Sequence, residues 1–246
     1  MASLLTPTQI SLAATAVVTA TAGLTLTYAA LSPGSQLFGH TLISGNDPTE
    51  VALTYDDGPN DVATDALLDL LAEHNAHATF FMIGRFVRQR PEIVRRVHAA
   101  GHLIGNHTDT HPWLSFQSPR VIREELRACN QSLEDTLGAP IHYLRPPHGA
   151  RRPALFHIAA ELGLKIVQWN TLGFDWQPID SARILTNVTR GRQRALRRHV
   201  GANILLHDGH QQGLGTDRSA TVQATAALLA TFASEGKRTV TVDAWT

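Results

Sequence analysis

The chain has one cysteine, Cys129, among 246 residues. It therefore has no internal disulfide and no cysteine-based zinc site. Cys129 falls in helical text, where a lone thiol serves as a small apolar residue. Net charge is lacking too. The 21 Lys+Arg balance 21 Asp+Glu, giving neither the basic footprint of a nucleic-acid-binding protein nor the acidic excess of a disordered tail. No Gly-rich dinucleotide fingerprint follows the first strand, and no phosphate-cradling loop occurs.

One absence is local. No Asp, Glu, Lys or Arg stands between Ala2 and Asn46. Within that stretch, Ile10 to Leu31 is a run of Ala, Val, Leu, Thr and Gly long enough to cross a bilayer as a helix. A secretory signal would need a basic segment ahead of the apolar one, and Tyr28-Ala29-Ala30 is a poor cleavage site. An uncleaved membrane anchor is the leading expectation, with the protein at the cell membrane or envelope, outside the cytoplasm. A weak signal peptide and an extra soluble helix stay open. Ser32-Pro33-Gly34-Ser35 then breaks the helix. The expected organisation is a hydrophobic segment at 1–31, a linker at 32–48 and one domain at 49–246.

From Thr49 onward, short apolar β-rich runs alternate with amphipathic helices. Strands are expected at Val51–Tyr55, Thr79–Ile83, His102–Gly105, His142–Arg145, Lys165–Trp169, Asn203–His207 and Thr239–Val242. Between them, helices are expected at Ala63–His74, Pro91–Ala100, Arg120–Leu137, from Pro153, Ala182–His199 and Ala220–Ser234. This rhythm predicts an α/β fold with a parallel sheet and helices outside it. Seven or eight units in such a length suggest a distorted (β/α) barrel, with an open doubly wound sheet as the alternative.

Polar clusters stand where the strands end. The first is Thr54-Tyr55-Asp56-Asp57-Gly58-Pro59-Asn60. Neighbours on an extended segment point opposite ways, so its two carboxylates can do different jobs. A solvated turn has the same composition. The second is Gly105-Asn106-His107-Thr108-Asp109-Thr110-His111-Pro112, where two His four apart would share a face if the loop were helical, and could reach one metal. In Leu144-Arg145-Pro146-Pro147-His148-Gly149 a strand ends on an Arg able to hold a carboxylate. Trp169-Asn170 and Phe174-Asp175-Trp176 put aromatic rings beside an acid, as a sugar-facing groove would, although core packing also uses Trp. Ile204-Leu205-Leu206-His207-Asp208-Gly209 delivers a His at the end of a buried strand, a natural place for a general acid or base.

Taken together and in this order, the five segments resemble the motifs of the polysaccharide deacetylase family, the NodB-homology group of carbohydrate esterases. The resemblance spans nearly all of Thr49 to Thr246. It implies a metal-dependent hydrolase that removes acetyl groups from N-acetylglucosamine-containing glycans such as peptidoglycan or chitin-type oligosaccharides. It implies Asp57, His107 and His111 as ligands of one divalent metal, for which Zn2+ is the first choice and Co2+ or another ion also suits the donors. It implies Asp56 as general base, Arg145 as the residue holding it, His207 as general acid and Asp175 as its orienting partner. His148 would give an oxyanion-binding backbone N–H, with Leu205 and Trp176 lining the acetyl pocket and groove. The sequence departs from the family at Tyr55, where Phe is usual, at His148, where another aromatic is usual, and at Leu172, where an Asp is frequent.

Rival readings stay open on the residues alone. Two His and a carboxylate also serve non-haem Fe(II) oxygenases, though not usually in βα text. A catalytically silent sugar-binding module would be expected to lack Asp56 or His207. An O-acetyl esterase on xylan-type polysaccharide, or a small-amide hydrolase, would share the motifs. No nucleic-acid partner is expected. Arg190, Arg192, Arg194, Arg197 and Arg198 form a basic stretch that reads as a solvated face, with an anionic glycan or lipid headgroup as the alternative.

Overall fold

The structure, a computed structural model, describes residue 21 and residues 23–246. Eight strands form one parallel sheet: β1 (Glu50–Gly58), β2 (Thr79–Met82), β3 (Leu103–Asn106), β4 (Tyr143–Leu144), β5 (Lys165–Ile166), β6 (Thr171–Leu172), β7 (Ala202–His207) and β8 (Arg238–Thr239). Their order is β5-β4-β3-β2-β1-β7-β6, with β8 added to the start of β1. The sheet curls but stays open between β5 and β6, so the expected distorted barrel is an incomplete one.

The helices are α1 (Ala63–Glu73), α2 (Gly84–Gln89), α3 (Pro91–Ala99), α4 (Pro119–Leu137), α5 (Pro153–Glu161), α6 (Ser181–Arg197) and α7 (Ser219–Ser234). Local chemistry sets several of their ends. Ser118 caps α4 by accepting from Val121 N, Pro119 supplies a preset first turn, and Gly138 ends the helix in the left-handed region at φ 67°. Asp180 caps α6 by accepting from Arg183 N. Two elements fall outside the sequence expectation. Helix α2 is only six residues long and β6 only two, too short to show a period.

The central strand β1 is buried along its whole length. Leu53 and Tyr55 pack into the main core with Leu67, Leu71, Phe80, Met82, Leu206 and Phe232. Tyr55 satisfies its hydroxyl on Thr225 Oγ1 at 3.0 Å. Cys129 is buried on α4, with burial pushing its thiol pKa upward, so it is a packing residue.

Most of the apolar stretch expected as an anchor lies outside the described residues. Residues 23–31 are helical, and Leu24, Leu26, Tyr28 and Leu31 are exposed on them. Among the described residues no helix is long and apolar enough to cross a membrane. The segment expected as a linker lies along the domain. Ser35 and Thr41 are buried, and Leu42 bridges Val167. Arg151, only 1% exposed, donates to the carbonyls of Ser32 and Ser35, while its own N–H bonds to Ala30 O at 2.9 Å. In the basic stretch of α6, Arg192 turns inward to pair with Glu235 and lies over the Phe232 ring.

Candidate active site

All strands are parallel, so their C-terminal ends share one rim, and the polar clusters meet there. They surround a cavity of about 420 Å³ lined by Asp56, Asp57, His107, His111, His148, Trp169, Trp176, Leu205 and His207, together with Trp113, His210 and Gln211. Every residue to which the family resemblance assigns a role lines this cavity except Arg145 and Asp175. Those two sit directly behind it, on Asp56 and His207. A cavity of the same volume, around Pro48, Val51, Arg192 and Glu235, includes none of the clustered motifs.

The two carboxylates of β1 do not diverge as simple strand alternation would have them. The register against β2 pairs Asp56 with Phe81 and Gly58 with Met82, which leaves Asp57 as the extra residue of a bulge at φ 73°. A bulge re-aims a side chain, and both carboxylates end up facing the same cavity. Asp57 Oδ1 lies 3.4 Å from His107 Nε2, and Asp56 Oδ2 lies 3.8 Å from the same atom. Gly209 passes beneath the bulge. A Cβ there would collide with the Asp57 carbonyl, so only glycine allows this approach.

The histidine loop is not helical either. Thr108 and His111 adopt left-handed φ values of 64° and 68°. Asn106 anchors the loop, accepting from Thr108 N at 2.7 Å and donating to Leu126 O and Asn130 Oδ1 on α4. From the same helix, Glu125 accepts from the backbone of Asp109 and Thr110. The pair is therefore brought together by side chains on α4, not by helical spacing.

These contacts decide which ring nitrogens face the cavity. His107 Nδ1 is 2.7 Å from Arg145 O, an atom that can only accept, so Nδ1 carries the proton and Nε2 presents a lone pair. His111 Nδ1 is 2.6 Å from Gln211 Oε1, which leaves its Nε2 in the same state, 3.1 Å from Asp57 Oδ1. Two lone pairs and a carboxylate oxygen thus converge, with all three donor atoms within 4.8 Å of one another. Asp57 Oδ1 is buried and accepts no hydrogen bond. Such a set repels itself unless a cation sits among the donors, and two imidazoles with one carboxylate suit a divalent metal with open positions.

Two charge pairs flank this cluster. Arg145 is fully buried and donates to Asp56 Oδ1 at 2.9 Å and Thr54 Oγ1 at 2.7 Å, while the Gln168 carbonyl accepts from its other terminal nitrogen at 3.1 Å. Across the cavity, Asp175 accepts from His207 Nδ1 and from His207 N, each at 2.8 Å, and from Thr221 Oγ1. Burial alone would lower the His207 pKa. The Asp175 carboxylate outweighs it, helped by Asp57 and Asp56, and the imidazole is pushed up to about 9. Its Nδ1–H is held by Asp175, so the remaining N–H is Nε2. Asp56 and His207 are register partners on neighbouring strands.

Leu205 is buried, Trp169 is 9% exposed, and Trp176 stands edge-on to His207 with centroids 5.5 Å apart. His148 adopts φ 58°, and its backbone N–H has no partner within the described residues. Leu172 lies in β6, its place there set by pairing with Leu205 on β7.

Gln211, which lies four residues past His207, carries no motif of its own and could not be found from the sequence. Only folding brings it to His111, and the Arg85 guanidinium holds its backbone carbonyl. Because the amide fixes the ring's tautomer and aim, Gln211→Ala is expected to weaken divalent-metal binding by roughly 10–100-fold. Gln211→Glu, which still accepts from Nδ1–H, should retain it. Calorimetric titration of the stripped protein with Zn2+ checks both, and an unchanged affinity in Gln211→Ala would remove the assigned role.

Comparison with known proteins agrees with this geometry. A family profile described as polysaccharide deacetylase matches residues 44–167. The chain is 35% identical over 193 residues to a chitooligosaccharide deacetylase of Bradyrhizobium sp. (strain ANU 289), covering 76% of this chain and 85% of that one. It is 36% identical over 199 residues to a peptidoglycan-N-acetylglucosamine deacetylase of Bacillus cereus (strain ATCC 14579), covering 80% and 88%. The crystal structure of the peptidoglycan N-acetylglucosamine deacetylase Bc1960 superposes with a TM-score of 0.75 at 31% identity, over 82% of this chain and 91% of that one. With a matched profile over half its length and shared identity over three quarters of it, the chain belongs to the polysaccharide deacetylase family.

Proposed function

We propose that the protein is a metal-dependent hydrolase that removes N-acetyl groups from N-acetylglucosamine-containing glycans, of the peptidoglycan or chitin-oligosaccharide kind. The observation that carries this is the convergence of the Asp57, His107 and His111 lone pairs between a carboxylate held by Arg and a histidine held by Asp. The named activities of the relatives at 35% and 36% identity support it.

Asp57, His107 and His111 would hold a divalent cation, for which we take Zn2+, and when bound it would supply Lewis-acid polarisation of the acetyl carbonyl and acidify water. The remaining roles belong to the chain. Asp56 takes the proton of the attacking water, and Arg145 fixes one of its oxygens so that the other faces the cavity. The His148 N–H donates to the oxygen that gains charge. His207, charged and with Nε2–H toward the cavity, protonates the departing amine, while Asp175 orients its ring. Leu205 and Trp176 bound the space for the acetyl methyl and the sugar. Amide cleavage needs an acid for its poor leaving group as well as a base for water. An O-acetyl esterase would depend less on His207.

We further propose that the domain at 49–246 is held at the cell envelope by residues 10–31. The exposed Leu24, Leu26, Tyr28 and Leu31 support this, as does the Arg151 clamp on Ala30, Ser32 and Ser35, which ties that helix firmly to the domain. Deleting residues 1–31 should move the protein from the membrane to the soluble fraction of lysed cells. An unchanged distribution would refute the anchor.

Acetate release from N-acetylglucosamine oligomers should vanish on chelation and return with Zn2+ or Co2+. Asp56→Asn should keep the metal and lose at least about 100-fold in turnover, whereas His107→Ala should lose both. Turnover retained by both variants would remove the assignment.

The pH dependence has a definite sign. His207 must be protonated to act as acid, and Asp175 raises its pKa, so activity is present below the raised value and is lost as pH rises through it. Asp175→Asn removes that cause and should move the alkaline limb of kcat to lower pH. A limb that stays in place would exclude His207 as the acid.

A further inference from the structure

Helix α7 opens on Arg218, the residue just ahead of its first turn. The side chain caps nothing on that helix and turns inward, where the residue is 7% exposed. Its Nε donates to Gly209 O at 2.8 Å and its Nη1 to Asp175 O at 3.0 Å, while Nη2 is buried without a partner. Both acceptors are backbone carbonyls, and holding a cation out of water on carbonyls alone costs stability. What the guanidinium is for is read from the two loops to which those carbonyls belong.

Asp175 stands in the loop after β6, directly after Phe174 at φ 60°, and Gly209 lies two residues past His207 in the loop after β7. The two loops are joined once by His207, whose N and Nδ1 donate to the Asp175 carboxylate. Arg218 joins them a second time, through the main chain. Thr221, one turn further along α7, donates to Asp175 Oδ2 at 2.8 Å, so one helix start holds Asp175 by both its carbonyl and its carboxylate. Gly209 is also the residue packed against the Asp57 bulge. A lysine in place of Arg218 could reach one of the two carbonyls, whereas a planar guanidinium spans both with a fixed angle between its donors.

We propose that Arg218 is a positioning residue that clamps the Asp175 loop to the His207 loop and so aims the acid, without itself touching substrate or metal. This rests on the deacetylase reading above. The left-handed backbone at Phe174 persists only where neighbours over-determine it. Without the clamp the main chain at Asp175 relaxes, the carboxylate moves with it, and the imidazole it orients loses its aim. None of the residues lining the cavity is held by Arg218 directly, so the loss falls on kcat and spares KM. The guanidinium also lines a surface cavity of about 390 Å³ with Ala63, Ala66 and Val222, which leaves its place open to a small cation once the side chain is removed.

The test uses the full chain with Arg218→Ala and Arg218→Lys. On the N-acetylglucosamine tetramer, Arg218→Ala is expected to lose about 10- to 100-fold in kcat with little change in KM, and added methylguanidinium to restore part of that loss while leaving wild type unchanged. Arg218→Lys should fall between the two. A second readout needs neither metal nor turnover. In the low-field proton NMR spectrum of the chelated protein, the His207 ring N–H held by Asp175 is assigned by its loss in Asp175→Asn. That resonance should broaden or vanish in Arg218→Ala and return with methylguanidinium. An unchanged resonance, or a kcat loss that methylguanidinium does not touch, would reduce Arg218 to a structural role and overturn the clamp. If Arg218→Ala does not fold, Arg218→Lys decides: wild-type kcat and resonance overturn the proposal, and a lower kcat at unchanged KM with a shifted resonance supports it. Wild type that releases no acetate from any chain overturns the hydrolase reading, and the resonance alone then decides the clamp.

Discussion

A buried guanidinium organises this molecule. Arg145 is completely enclosed, and removing a charged group from water costs several kcal/mol unless it is paired and hydrogen-bonded. Its partners come from all round the curled sheet. Asp56 and Thr54 stand on β1, Asn203 on β7 and Gln168 just beyond β5, while Phe81 on β2 offers its ring face at 4.3 Å. A closed barrel would fill this space with apolar layers. Here the open seam leaves room for an ion pair, and the strands around it are held in register by what the ion pair needs. Asp56 thereby faces the cavity at one oxygen and cannot swing away.

The metal-ligand cluster depends on strain that this framework sustains. Seven described non-glycine residues have positive φ, and five of them lie in the loops of the site: Asp57, Thr108, His111, His148 and Phe174. Such conformations cost on the order of 1 kcal/mol or more each and persist only where neighbours over-determine them. The neighbours are identifiable. Asn106 and Glu125 fix the histidine loop to α4, the close passage of Gly209 fixes the Asp57 bulge, and Trp113 lies against His148. These contacts hold the loops, while Arg145 O and Gln211 Oε1 separately set the tautomers of the two rings the histidine loop carries.

The sequence located the cavity because parallel sheets place their strand ends on one rim, and polar runs after apolar strands are visible in one dimension. It also carried the strand–helix order, as apolar runs long enough to show a period. What it hid was three-dimensional. The Asp57 bulge is a register shift against β2, and no property of Asp-Asp-Gly-Pro alone announces it. The histidine spacing suggested a helical face, yet the real cause is a pair of α4 side chains about 15 to 25 residues away in sequence. Gln211 and Trp113 reach the cavity from loops whose local text is ordinary, and the stacking of Trp113 on His148 exists only once β4 lies beside β3.

Asp56 and His207, the base and acid proposed above, show how one cavity keeps a carboxylate and an imidazolium apart. They are register partners on adjacent strands, about 5 Å apart along the sheet, and left to themselves a carboxylate and an imidazolium so placed would pair and neutralise each other's function. Each instead has a stronger partner behind it: Arg145 for Asp56, and Asp175 for His207. The two pairs have opposite polarity, so one presents a carboxylate to the cavity and the other a cation. A further carboxylate, Asp208, follows His207 directly and could disturb that division. It is kept out by burial, which pushes its pKa up to about 7, and by the Thr64 hydroxyl donating to it at 2.6 Å. The separation of carboxylate from imidazolium is thus a property of what lies behind each residue, and it would survive changes in the groove walls.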